Sequence, residues 1–399
     1  MSRHHMNAAA RLVTDAERRA RMARRHGIAP QHRVADPLAA TRAMTVLHST
    51  EPPTPYLSVH ARVDGVTRAD VDRALYDDRT LVKQLAMRRT LFVFPRDLLP
   101  AAWGSASERV AGAEGRRIAK DVEKAGIAPD GEAWLVTARA RVLAHLDDHP
   151  DGIAAGDLRV LFPELSTPVA VSAGSTWNHT RLLTHLGLTA DLVRGRNGGH
   201  WRISRPVWVP MEQWLGERPV PASHDEGYAE LVRRWLRTFG PGTETDVVWW
   251  LGATKGAVRR AFADLGAVSV SLESGDTGWL LPDDLEPEPA VEPWAALLPV
   301  LDPTLMGWKQ RDWYLDAAHV PYLFDTNGNG GTTAWVDGRV VGCYVQDAGG
   351  VVRVVLREDP GAEARAALDT EAERLTGWLA GESVNSVYAS RQMREALLP

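Results

Sequence analysis

The chain has 399 residues, too many for one compact core; at roughly 100–200 residues per domain, this length predicts two to four domains. Apolar residues make up 44% and charged residues 24%, which excludes wholesale disorder. One cysteine, Cys343, excludes a disulfide framework and a cysteine-based zinc site. No apolar run approaches the ~20 residues of a membrane span, and the arginine-rich start lacks the apolar core of a signal peptide. The expectation is a cytoplasmic, nucleoid-associated monomer that needs no metal, no cofactor and no membrane.

The formal net charge of −5 conceals a strong segregation. Residues 1–42 carry nine arginines against Asp15, Glu17 and Asp36. Residues 79–96 hold Arg79, Lys83, Arg88, Arg89 and Arg96 without an acid, and residues 181–205 carry five arginines against Asp191. Residues 273–302 reverse the sign, with eight acids and no lysine or arginine. Basic stripes beside a separate acidic segment are the footprint of a nucleic-acid binder; the plainer alternative is a set of solvated faces.

In chain order, the opening "MSRHHMNAAA" is set aside as a native start or a cloning remnant. A helix is predicted from Thr14, its N-cap, to His26, with Gly27 as its stop, and a second from Asp36 to Met44 with Pro37 in its first turn. Residues 45–50 read as an extended piece ended by Pro52, Pro53 and Pro55. A helix over 56–62 and another capped by Thr67 follow, then "TLVKQLAMRRTLFVFP", a helix or strand running into a ribbon that Pro95 ends. The block 130–215 reads as a long helix (132–149), a short one, a third within "SAGSTWNHTRLLTHLGLTADL", and two strands in "LVRGRNGGHWRIS" turning at Asn197, Gly198 and Gly199.

The same order of helices and hairpin returns over 227–282, with Thr243 as a cap and "TKGAVRRAFADLG" as a candidate recognition helix. This is the order of a winged helix-turn-helix. "PDDLEPEPAVEP" reads as a Pro-rich acidic linker, and beyond it the texture turns to β, closing with a helix over 363–379 and a strand over 383–388. No phosphate loop, dinucleotide fingerprint, serine elbow or zinc-protease motif occurs, and 328–331 reads as a hairpin tip.

"RTFGPGTETDVVWWLG", "LLPVLDPTLMGWKQRDWYL", "VDGRVVGCYV" and "TVLHSTEPPTPYLSVHARVDG" followed by "LAMRRTLFVFP" resemble the tandem winged-helix proteins of the bacterial AlkZ/YcaQ type over about residues 15–390. The resemblance implies an α+β chain of tandem winged helix-turn-helix units followed by a C-terminal β-barrel-like domain. The expected parts are 14–128, 129–222, 223–286 and 287–399. It implies a DNA glycosylase that excises bulky N-alkylated purines (N7-alkylguanine, N3-alkyladenine) and unhooks crosslinks, acting on double-stranded DNA with alkylated bases. The family's catalytic motif is glutamine, an aliphatic residue, then glutamine or aspartate. It falls here on His48, Ser49 and Thr50, a departure from the pattern.

His48 can position a water or take its proton near neutral pH, and Thr50 offers a hydroxyl on the same side of an extended strand. These two are the candidate catalytic residues. Candidate DNA contacts are Lys83, Arg88, Arg89, Arg194, Arg196, Arg202, Lys255, Arg259 and Arg260, with Asn327 and Asn329 in a hairpin over 325–332 that the resemblance places in the minor groove. The alternative is a non-catalytic winged-helix DNA-binding protein, a regulator or lesion sensor, toward which the divergent motif points. A protein-interaction scaffold fits the arginine stripes poorly.

Overall fold

Local rules set the first helices. Thr14 caps the helix Asp15–Arg25 by accepting from Glu17 N–H at 3.1 Å, and Asp36 caps Pro37–Ala43 by accepting from Ala39 N–H at 2.8 Å. The structure is a computed structural model and describes residues 11–165, 169–172, 175–177 and 179–396. The opening ten residues set aside above lie outside them. It is mixed α+β with small sheets. By compactness the chain divides into two units, each assembled from separated stretches: 1–47, 56–67 and 229–399 in the first, 48–55 and 68–228 in the second.

The first unit holds a three-stranded sheet in which Leu12–Val13 runs parallel to Val268–Leu272, itself antiparallel to Thr277–Leu280. Before this sheet come the helices Glu244–Leu251, closed by a capping box between Thr243 and Asp246, and Lys255–Asp264, capped by Thr254. The acidic stretch read as a linker is strapped onto the helix Asp15–Arg25. Arg25 grips Asp284 with two bonds of 2.7 and 2.8 Å, Arg21 reaches Asp284 at 3.1 Å and the carbonyl of Glu286 at 2.7 Å, and Arg24 donates to the carbonyls of Pro289 and Ala290. A proline-rich segment cannot pair its own backbone, so guanidinium donors take up its carbonyls.

The C-terminal region departs from the expected barrel. Ala295–Leu298, Thr333–Val336, Arg339–Gln346 and Val352–Leu356 form an open antiparallel meander in that order, and no closed barrel occurs among the described residues. The helix Ala362–Leu379 packs on both outer strands, covering the face across which closure would occur. The expected last strand over 383–388 is a loop. Its backbone is held by the Gln346 side chain, which donates to Glu382 O at 3.0 Å and accepts from Val384 N–H at 2.8 Å, so a side-chain amide replaces a ladder.

In the second unit, Leu47–His48, Leu91–Pro95 and Leu81–Leu85 form one sheet in that order, the chain passing from the first unit into the second at His48. The ambiguous 80–95 stretch is thus a β-hairpin, Leu81 pairing with Pro95 and Leu85 with Leu91. Ile153–Ala154, Pro206–Pro210 and Leu192–Asn197 form another sheet. The helices Glu108–Lys124, Gly131–Asp147, Ala155–Leu161 and His179–Leu188 belong to the same unit, whose core runs through Leu85, Val142, Leu146, Leu158, Leu182, Leu186 and Trp208.

Two expectations shift here. The third helix starts only at His179, after a small hairpin of Val169–Ser172 and Ser175–Trp177, because the serine- and glycine-rich stretch ahead of it favours turns over helix. The reading of residues 173, 174 and 178 lies outside the described residues. The partner of Leu192–Asn197 is Pro206–Pro210, so the turn at 197–199 extends into a loop over 198–205.

Candidate active site and DNA-facing surface

His48 sits on a strand much shorter than the extended run expected over 45–50. Thr45 has a left-handed backbone (φ 64°), the strand covers only Leu47–His48, and the chain bends at Thr50 ahead of Pro52 and Pro53. Alternation along one extended strand therefore does not place Thr50 beside His48. Thr50 is exposed and Ser49 is buried, with Ser49 N–H donating to Leu91 O at 2.9 Å. This bond seats His48 against the start of the strand Leu91–Pro95, and its ring meets Phe92 edge-on at 5.2 Å.

His48 Nδ1 is buried and has no hydrogen-bond partner among the described residues. Burial pulls its pKa from 6.5 to about 3, and the nearby Arg88 guanidinium pushes the same way. The imidazole is thus neutral throughout the physiological range, an acceptor or donor but not a cation.

Arg88 stands on a strained turn. Arg88 and Arg89 are consecutive left-handed residues (φ 55° and 59°) in the link between Leu81–Leu85 and Leu91–Pro95, closed by a 3.0 Å bond from Thr90 N–H to Met87 O. Two-residue hairpin turns of this hand favour Asn-Gly, and each non-glycine residue held there costs roughly 1–2 kcal/mol. Arg89 offsets its share by pairing with the buried Glu114 at 3.2 Å. Arg88 is exposed.

Sequence reasoning passed over Glu51, a buried carboxylate directly after Thr50 whose carbonyl accepts from Thr54 N–H at 3.2 Å. The available signal was an acid between the divergent motif and the two prolines, the only one in residues 48–55. It also missed the aromatic partners of the basic residues. Lys83 Nζ donates to the Tyr76 hydroxyl at 2.7 Å, and Arg196 lies over the same ring at 5.1 Å while pairing with Asp77 at 2.5 Å. Arg194 is half-buried over Trp208 at 5.1 Å, and burial lowers its pKa to about 10. Arg202 donates to His200 Nδ1 at 3.1 Å. The second unit thus brings His48 and Arg88 together, and Lys83 and Arg196 around Tyr76.

The remaining candidates lie in the first unit. Lys255 is exposed at the start of its helix, Arg259 pairs with Glu244 at 2.7 Å, and Arg260 with Asp264 at 2.9 Å. Asp325 accepts from the N–H groups of Asn327 and Asn329 at 2.8 and 2.9 Å and from Asn329 Nδ2. Only the middle of this loop is an exposed tip. Gly330 and Gly331 are buried, and a Cβ would lie 2.3 Å from Leu305 Cδ2 at the first and 2.8 Å from Ser390 Cβ at the second. The reading of 328–331 as a hairpin tip is narrowed accordingly: its last two glycines permit close packing.

The first unit also has a half-open pocket of about 140 Å³ bordered by Arg18, Asp276, Asp312 and Trp313, with Arg18 over the Trp313 ring at 4.1 Å. Among the described residues no three His, Cys, Asp or Glu side chains gather as a metal site, and no helix is long and apolar enough to cross a membrane.

No sequence among curated proteins matches this chain. Among solved structures, the DNA glycosylase AlkZ of Streptomyces sahachiroi is similar, with a TM-score of 0.72 at 18% identity, covering 92% of this chain and 97% of that one; at this identity the likeness speaks for the fold. The sequence model of the DNA glycosylase AlkZ-like family matches residues 41–378, a span that includes His48, the strained turn and the hairpins over 81–95 and 192–210. The chain belongs to the AlkZ-like DNA glycosylase family.

Proposed function

We propose that the protein hydrolyses the N-glycosidic bond of N-alkylated purines in duplex DNA, with His48 as the residue that orients the attacking water. The observation that carries this is the buried, unpartnered Nδ1 of a neutral His48 at the position of the family's first catalytic amide. N7-alkylguanine and N3-alkyladenine leave as neutral bases from a cationic nucleoside, so no strong general acid is required. What the protein must supply is a water aimed at C1′ and a negative charge for the sugar's oxocarbenium character. His48 accepts the hydrogen bond of that water, and the buried carboxylate of Glu51 is the candidate counter-charge. Thr50, exposed beyond the bend, serves as a substrate contact. The winged-helix arrangement, the monomeric state and crosslink unhooking belong to this reading as proposals.

The test is base release from a duplex carrying a single N7-methylguanine. His48→Ala is expected to lower the single-turnover rate by on the order of 10²–10⁴ while duplex affinity stays within a few-fold. The pH profile separates this assignment from an ordinary histidine base. An unperturbed imidazole would halve the rate near pH 6.5. With its pKa at about 3, His48 stays neutral and the corrected rate is flat from pH 8 to 5. Unchanged excision by the variant overturns the role of His48, and a fall in wild-type rate centred on 6.5 overturns its lowered pKa. A wild type that binds duplex and releases no alkylated base favours the non-catalytic lesion sensor.

A further inference from the structure

The loop over 198–205 exposes the apolar side chain of Ile203 beside two arginines. It joins Leu192–Asn197 to Pro206–Pro210, and Asn197 staples it from inside. The Asn197 amide Nδ2 donates to the carbonyls of His200, at 3.2 Å, and Ile203, and Oδ1 accepts from Arg205 N–H at 2.5 Å. Two backbone bonds add to this, Gly198 N–H to Arg205 O at 2.7 Å and Ile203 N–H to His200 O at 2.8 Å. With so many of its backbone groups tied, the loop is a fixed projection rather than a coil. It presents Ile203, 47% exposed, and two residues earlier Trp201 is half-buried under the Arg68 guanidinium at 5.5 Å.

The loop itself carries charge of one sign. Residues 198–205 contain Arg202 and Arg205 and no acid, and Arg205 is exposed without an ion pair among the described residues; of the strand arginines before it, Arg196 pairs with Asp77 and Arg194 lies over Trp208. An apolar side chain with arginines one residue before and two residues after it is poorly suited to a neutral protein surface. It fits a polyanion with a stack of bases behind its phosphates, the pattern of residues that wedge into the minor groove and open a base step. Resting on the reading of this chain as a duplex-DNA enzyme, we infer that the 198–205 loop is a wedge. Ile203 enters the minor groove and unstacks one base step, while Arg202 and Arg205 hold the phosphates on either side. Opening a step has a cost, which burial of the isoleucine and the two phosphate contacts offset. The wedge gives a searching enzyme a way to sense a weakened step before any bond is cut.

The experiment uses the full chain and an undamaged duplex with 2-aminopurine at a central position, whose fluorescence rises on unstacking. The wild type is expected to raise the signal on binding, Ile203→Ser to lose most of that rise with duplex affinity changed only a few-fold, and Ile203→Leu to restore it. Because Ile203 is exposed, both variants are expected to melt with the wild type, which a thermal scan checks. A full rise with Ile203→Ser overturns the wedge, as does a wild type that binds and excises without any rise. A wild type that binds and unstacks but releases no alkylated base defeats the excision reading and leaves the wedge standing. Failure to bind duplex overturns both.

Discussion

The helix Asp15–Arg25 carries five arginines and the hairpin over 192–210 carries four, and the two regions use them differently. In the first, Arg21, Arg24 and Arg25 close on Asp284, Glu288 and the carbonyls of the acidic strap. In the second, Arg194 lies over an indole and Arg205 is exposed without an ion pair among the described residues. What separates them is whether the same unit supplies acids of matching extent. Residues 273–302 do so for the first helix, whereas residues 192–211 contain no acid of their own and the same unit brings Asp77 to Arg196 but no acidic strap. A basic run is therefore a binding footprint only after the acids folded against it have been subtracted.

The sharpest form of the contrast is an arginine whose loss of its partner destabilises against one whose removal stabilises. Arg62 and Asp302 are fully buried in the first unit, joined at 2.7 and 2.8 Å, with Ser58 Oγ donating to Asp302 at 2.7 Å. Asp302→Asn leaves a buried guanidinium without its counter-charge, at a cost of roughly 3–5 kcal/mol. Urea unfolding is the measurement, and a wild-type midpoint would show that the pair holds nothing. DNA affinity is expected to be unchanged in any fraction that stays folded.

Arg88 predicts the reverse sign in the second unit. Its left-handed backbone (φ 55°) suits asparagine better than arginine, so Arg88→Asn should raise stability by about 0.5–1 kcal/mol. The same change removes the guanidinium beside His48 and should slow base release. A variant that gains stability and keeps full activity would make the turn ordinary, and one that loses stability would show that the arginine is structural.

The helices and hairpins of this fold were legible because their signals are local: Thr14, Asp36, Thr243 and Thr254 each cap the helix expected after them. The open C-terminal sheet and the loop at 383–388 were not, because each is decided by a distant group, the packing of Ala362–Leu379 in one case and the Gln346 amide in the other. The position of His48 could be read from motif order. Its lowered pKa could not, since that depends on burial and on Arg88, which reaches it only through the pairing of Ser49 with Leu91. The wedge was hidden because its second strand begins only at Pro206.

The smallest expected effect compares two arginines by the same substitution. Arg25 is mostly buried and bonds Asp284 through two nitrogens, whereas Arg205 is exposed with no ion pair among the described residues. Arg25→Gln should cost about 1 kcal/mol of stability, the upper end for a partly exposed pair, and leave the salt dependence of DNA binding as it was. Arg205→Gln should leave the melting temperature unchanged and reduce the slope of log K against log salt by about 1, the share of one phosphate contact. Each variant is titrated with undamaged duplex at several salt concentrations and melted in parallel. If both change the slope, the acidic strap does not occupy the first helix in solution, and the distinction between the two regions fails. If neither does, the 198–205 loop makes no phosphate contact through Arg205, and its positive charge is a solvated face.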